Sequence, residues 1–185
     1  MNYNSVGEIF ENIDGTRARL ETSVREVAEG RDRFRAAPDR WCVAEIVEHL
    51  SIVEANVVRL CEKLLAKAEA EGHTRQEDAP FAPVSLDEFA DRARQKFTAP
   101  EQIAPTGSRA LTDSLDALRS SREALRALRP RIERVDGTAL RFPHPAFGPI
   151  NLYQWLLFVG GHEQRHLAQI EAVKQSMNAP AEAAN

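Results

Sequence analysis

Cysteine is scarce in this chain: Cys42 and Cys61 are the only two among 185 residues. They fall in one predicted helix, roughly 28 Å apart along its axis at about 1.5 Å per residue, too far for a disulfide. A block of basic residues is also missing. The formal net charge is −4, so the chain carries no electrostatic footprint for nucleic acid. Long apolar runs are absent as well. The stretch Leu156 to Val159 is far short of the roughly 20 residues that span a bilayer. The opening residues MNYNSVGEIFENIDG have neither a basic nor an apolar leader region, so no secretory signal is expected and a cytoplasmic location is. No internal repeat, low-complexity tract or convincing strand pattern occurs, which leaves helices.

What is present is an ordinary globular composition, 43% hydrophobic and 28% charged, at a length that suits one domain. Residues 1–177 are expected to form that domain and 178–185 a frayed tail. Val6, Ile9, Phe10, Ile13, Leu20, Val24 and Val27 recur at helical spacing, and Gly30 supplies a stop. A connector over Phe34 to Arg40 leads to a second helix from about Val43 to Glu71, closed by Gly72. His73 to Pro83 reads as a loop. Ser85-Leu86-Asp87-Glu88 resembles a capping box and predicts a short helix to about Phe97. Leu111, Leu115, Leu118, Leu125 and Leu128 mark a third long helix ending before Pro130. Residues 131–149, with three prolines and two glycines, predict a long irregular connection, and a last helix runs from Asn151 to about Met177. Four long amphipathic helices with long crossovers describe an all-α four-helix bundle, a scaffold that builds metal sites from facing side chains.

His162-Glu163-Gln164-Arg165-His166 is the most informative stretch. Histidines four apart on a helix lie one above the other and can reach one divalent ion. Leu152, Trp155, Val159, His162, His166, Gln169 and Val173 alternate by three and four, which places both histidines on the bundle-facing stripe. His49, between Ile46 and Val53, faces inward on the second helix. Alone it reads as a core histidine bonded to a neighbour. Three inward histidines together favour a shared metal, because each buried ring nitrogen needs a partner. Gly160-Gly161 before His162 costs about 1 kcal/mol per glycine, which points to a close helix approach or to room for a ligand.

The letters also spell H-E-x-x-H, the zinc-peptidase signature. A peptidase of that type needs a further carboxylate or histidine ligand after the motif. Only 19 residues follow His166, and neither Glu171 nor Glu182 is placed to serve, so a peptidase is not expected. Glu163, about 100° around the helix from His162, is expected to face solvent or pair with a neighbour. Glu45, one turn before His49, is a candidate to bond a ring nitrogen or a metal-bound water, or is a solvated helix glutamate. Gln169 stands in the same relation to His166. His144, on the long connection, is a catalytic candidate if its loop folds over the pocket, and otherwise an exposed loop histidine. Phe147 is expected to plug the bundle mouth and His73 to be solvated. Ser51 lies on a different helical face from His49, which argues against a Ser-His nucleophile pair.

Trp41-Cys-Val-Ala-Glu-Ile-Val-Glu-His49-Leu, then His144-Pro-Ala-Phe-Gly148-Pro-Ile-Asn-Leu, then Trp155-Leu-Leu-Phe-Val-Gly-Gly-His162-Glu-Gln-Arg-His166-Leu-Ala-Gln-Ile170, together resemble the DinB-like superfamily. The resemblance covers essentially the whole chain. It implies a four-helix bundle with a three-histidine metal site, carried here by His49, His162 and His166. It also implies a divalent cofactor, with Zn²⁺ or Ni²⁺ favoured and Fe²⁺ or Mn²⁺ compatible. Characterised members of the family include S-transferases that use low-molecular-weight thiols such as bacillithiol or mycothiol, and a maleylpyruvate isomerase. A metal-dependent S-transferase or hydrolase is therefore expected, with a thiol and a small electrophile as partners and a homodimer as the assembly. The alternative is a non-catalytic, stress-related bundle that binds metal or a partner. One departure is Cys42, which stands where the family often has a capping Ser; cysteine caps poorly.

Overall fold

The computed structural model describes residues 1–27, 29–75, 81–87 and 99–179. Four long helices carry the fold: α1 (Val6–Arg25), α2 (Val43–Ala70), α3 (Leu111–Ala127) and α4 (Leu152–Asn178). Each begins and packs as its sequence dictates. Ser5 caps α1 by accepting from the Glu8 N–H, and Asn151 caps α4 in a reciprocal pair with Gln154. At α2 the poor cap Cys42 is compensated from the other side, because Glu45 Oε2 accepts the Cys42 N–H at 2.9 Å. The helix start that cysteine would weaken is thus held by Glu45.

Two apolar clusters fill the bundle. One joins the first half of α1 (Ile9, Ile13), the second half of α2 (Val57, Leu65), the end of α3 (Leu125) and the first half of α4 (Leu152, Val159). The other joins Leu20 and Val24 of α1, Ile46 and Leu50 of α2, Leu118 of α3, and Leu167 and Ile170 of α4. Along α1 and α4 the chain runs from the first cluster to the second; along α2 and α3 it runs the opposite way. The neighbours α2 and α3 are therefore parallel, as are α1 and α4. Parallel α2 and α3 require the chain to return the whole length of the bundle between them, which explains the 71–110 crossover. On that return Val84 bridges to Tyr3 and a 3₁₀ turn forms at Glu101–Ile103.

The structure corrects the expected irregular connection. Arg141–His144 and Gly148–Asn151 form an antiparallel hairpin, β1 and β2. Pro143 faces Pro149 in its register. Neither proline can donate, so the pair occupies a non-hydrogen-bonded rung, where prolines are tolerated. Prolines that read as strand breakers are accommodated because they face each other. The third helix ends at Ala127, before Pro130 as expected. After a break at Leu128 a further helical turn, Arg129–Ile132, accepts the proline near its start, where a missing N–H costs nothing. Beyond Asp87 the expected helix from Ser85 lies outside the described residues, as does the expected tail from residue 180 onward.

Candidate metal centre

His49 sits in the second turn of α2 and is buried; His162 and His166 sit one turn apart in α4, the first half-buried and the second buried. The three histidines offer ring nitrogens that all lie within 4.8 Å of one another. His162 Nε2 stands 3.2 Å from His49 Nε2 and 3.1 Å from His166 Nε2.

The opposite ring nitrogens fix the tautomers. His49 Nδ1 lies 2.7 Å from the carbonyl oxygen of Ile103, and His166 Nδ1 lies 2.8 Å from Gln169 Oε1. A carbonyl only accepts, so each Nδ1 carries the proton and each Nε2 presents a lone pair to the shared centre. His162 can offer at most one N–H to two such acceptors. A divalent cation satisfies all three. Nitrogens bound to one ion at about 2.0–2.1 Å stand roughly 3.0–3.4 Å apart, the spacing seen from His162 to its neighbours. The donor set thus fits a divalent metal.

Burial holds the rings neutral, the state a ligand needs. Burial lowers the His49 pKa, against the hydrogen bond to Ile103. It takes His166 down to about 3, with His49 adding to the effect. His162 falls well below its ordinary value, again first through burial and then through the neighbouring imidazoles. Aromatic rings enclose the group: Trp41 stacks on His166 at 6.1 Å between centroids, and Phe158 on His162 at 5.1 Å.

His144 lies at the same mouth, carried there by the hairpin. Its ring stacks on Phe147 at 4.4 Å and meets Trp155 and Phe158. It is half-buried rather than an exposed loop residue, and burial lowers its pKa to about 4. Its Nδ1 accepts from the Ala146 and Phe147 N–H groups at 3.1 and 3.3 Å, so the ring proton resides on Nε2.

Glu45 is committed elsewhere: Oε2 accepts from Cys42 and Oε1 from Arg35 Nη2 at 2.6 Å. Both ring nitrogens of its neighbour His49 have other partners. Ser51 donates to the Glu48 carbonyl at 2.7 Å, and exposed His73 pairs with Glu71 at 3.2 Å. Glu163 does not face solvent. It is buried, and Arg17 and Arg122 hold both of its carboxylate oxygens. That leaves it no freedom to act as a peptidase base.

A sequence profile of the DinB superfamily matches residues 12–170. The chain belongs to the DinB superfamily. It is also 25% identical over 169 residues to the uncharacterized protein YuaE of Bacillus subtilis (strain 168), covering 86% of this chain and 94% of that one. The crystal structure of TT2238, described as a four-helix bundle protein, superposes with a TM-score of 0.60 at 21% identity over 91% of this chain and 99% of that one. That likeness speaks to the fold alone. Among the described residues, no helix is long and apolar enough to cross a membrane.

Within this DinB-superfamily bundle two supports of the site escaped sequence reasoning. Ile103 provides only a carbonyl, which no side-chain pattern announces. Glu48 secures the loop that delivers it: Oε1 accepts from the Thr106 N–H at 3.0 Å and hydroxyl at 2.7 Å, and Oε2 from the Gly107 N–H at 3.2 Å. Gly107 has φ +74°, and a Cβ there would also press on Glu45 at 3.1 Å, so the turn needs glycine. Glutamate next to a helical histidine ordinarily reads as solvated; its burial follows from the crossover folding back.

Proposed function

We propose that this protein binds one divalent metal through Nε2 of His49, His162 and His166, and uses the remaining coordination positions for thiol S-transfer to a small electrophile or for a related hydrolysis. The observation that carries this reading is the tautomer lock. Two lone pairs are fixed by Ile103 and Gln169 to face the third imidazole, an arrangement that a divalent cation satisfies on all three sides. A bound divalent ion supplies Lewis acidity, favouring a thiol as thiolate or activating water. The chain's own residues orient and enclose. The Ile103 carbonyl and Gln169 set the ring orientations, and Trp41 and Phe158 exclude water from two of the imidazole faces. His144, neutral and with its proton on Nε2, is the candidate hydrogen-bond donor to a leaving group at the site mouth. Low-molecular-weight thiols of the bacillithiol or mycothiol kind are the proposed co-substrates. Zn²⁺ and Ni²⁺ are the favoured ions, and Fe²⁺ and Mn²⁺ suit the same ligands.

A second reading, a non-catalytic metal-binding bundle, draws on one observation. The cavity that His162 lines together with Glu54 and Glu163 measures about 10 Å³, room for one water and not for a substrate.

Elemental analysis of untagged protein beside His49→Ala, His162→Ala and His166→Ala tests the site. Near-stoichiometric metal in the parent, lost in all three variants, is the expected result. A protein that takes up no Zn²⁺, Ni²⁺ or Mn²⁺ on addition refutes it. With the ion known, thiol consumption in the presence of small electrophiles separates the enzyme from the binding protein.

A further inference from the structure

Each of the four helices places one charged side chain at the same level of the bundle: Arg17 from α1, Glu54 from α2, Arg122 from α3 and Glu163 from α4, all buried. Arg17 donates to both Glu54 and Glu163, through Nη2 to each and through Nε to Glu163 at 2.7 Å. Arg122 donates from Nε to Glu54 at 2.8 Å and from Nη2 to Glu163 at 3.3 Å. Two cations and two anions thus close a ring. Backbone carbonyls complete the guanidinium shells, Leu118 for Arg17 and Ile13 for Arg122, each at 2.8 Å. Asp14 reaches Arg122 from the rim at 3.1 Å.

This ring borders the histidines. Glu163 follows His162 in sequence, and Glu54 is five residues from His49. His162, Glu54 and Glu163 share the wall of the cavity of about 10 Å³ with Leu50, Val53 and Val159. So little water can stand between ring and imidazole that screening is weak, and charges there act over the full distance. His162 also differs from its two partners: among the described residues its Nδ1 has no hydrogen-bond acceptor, whereas those of His49 and His166 do. On the cavity side it faces the two ring carboxylates, Glu54 and Glu163.

We infer that Glu54 and Glu163, balanced by Arg17 and Arg122, are positioning residues whose net charge sets how tightly the three-histidine site holds a divalent cation. The inference rests on the metal-site reading above. With three neutral ligands, the site offers no anionic group to a doubly charged ion. The ring brings two buried carboxylates to the cavity wall that His162 shares, and each is offset by a guanidinium. Removing a carboxylate leaves a net positive charge facing the ion; removing a guanidinium leaves a net negative one. A merely structural ring predicts that both removals damage the site in the same direction. An electrostatic ring predicts opposite directions.

The test is a Zn²⁺ titration against a competing chromophoric chelator, with the melting temperature of each metal-free variant followed by circular dichroism. Glu163→Gln is expected to weaken Zn²⁺ binding about tenfold, the usual scale for residues that support metal ligands. Arg122→Met is expected to tighten it severalfold while lowering the melting temperature. The double variant Glu163→Gln with Arg122→Met restores the balance and is expected to return affinity to within about twofold of the parent, since paired changes in contact offset each other. If Arg122→Met does not fold, Glu163→Gln against the double variant decides by the same logic. Affinities that fall in both single variants in step with their melting temperatures, or that do not move, overturn the inference. A parent protein that binds no Zn²⁺ in this titration overturns the metal-site reading itself.

Discussion

At the scale of single residues, burial rather than charge pairing controls the histidines, and this has a pH signature. His144 and His166 are held at about 4 and about 3, whereas an unfolded chain takes up protons near the ordinary 6.5. Between those values the unfolded state binds protons that the native state refuses, so native stability falls as pH drops below about 6.5. Above that value both states are neutral and the contribution is complete. Urea unfolding of metal-free protein is therefore expected to show a lower midpoint at pH 5 than at pH 7.5. His144→Phe is expected to reduce that difference by removing one of the refusing groups, while losing the acceptor for the Ala146 and Phe147 N–H groups. Equal midpoints at the two pH values would contradict the burial of these rings. Because the folded rings stay neutral in mild acid, the same argument predicts that bound metal is retained at pH values where solvated histidines would already have protonated.

At the scale of the elements, Gly160 and Gly161 separate two explanations that the sequence leaves open. A Cβ on Gly160 would stand 3.0 Å from Ile13 Cγ2 and 3.1 Å from Asn12 Oδ1 of α1, so this glycine lets the two helices approach. Gly161 is exposed, and a Cβ there would meet nothing within 4 Å. Gly161→Ala is expected to raise stability by about 0.5–1 kcal/mol through helix propensity alone. Gly160→Val should lower it by about 1–3 kcal/mol through overpacking against α1, and thermal denaturation of the pair reads both. The same contrast shows what the sequence holds and what it does not. The three- and four-residue spacing of His162, His166, Val159 and Trp155 is a local property and is legible, as is the inward face of His49. The start of α4 at Asn151 is likewise legible. The β1–β2 hairpin is not legible, because only its register reveals that Pro143 and Pro149 face each other. Nor are Ile103 and Glu48, whose roles exist only once the crossover has returned along α2.

At the scale of the whole molecule, the charge ring is the feature least visible in the sequence, since no spacing singles out Arg17, Glu54 or Arg122 as buried and Glu163 reads equally as solvated or paired with a neighbour. On every helix the ring member lies between the two apolar clusters: Arg17 between Ile13 and Leu20, Glu54 between Leu50 and Val57, Arg122 between Leu118 and Leu125, Glu163 between Val159 and Leu167. Burial works against the Arg122 charge, yet Glu54 and Glu163 beside it keep its pKa above the ordinary value. For Glu163 the balance tips the other way, burial raising its pKa while Arg17 and Arg122 oppose the rise. Such a layer contributes little net stability, because desolvation of four charges offsets their attraction. What it fixes is register: sliding any one helix by a turn would take its charge out of the ring and leave its former partners short of a counter-charge, and sliding α2 or α4 would also part His49 from His162 and His166. Two substitutions should make the distinction measurable. Glu54→Leu alone leaves two buried guanidinium groups sharing the Glu163 carboxylate and is expected to cost about 3–5 kcal/mol. Replacing all four ring residues by apolar side chains of similar volume should leave stability within a few kcal/mol of the parent by the same principle. If register is what the ring supplies, that apolar variant will still unfold at a similar temperature but bind Zn²⁺ far more weakly, whereas a ring acting through net charge alone, which this variant leaves balanced, keeps affinity near the parent's. Metal affinity that survived the fourfold replacement would show that apolar packing alone suffices to align α2 with α4.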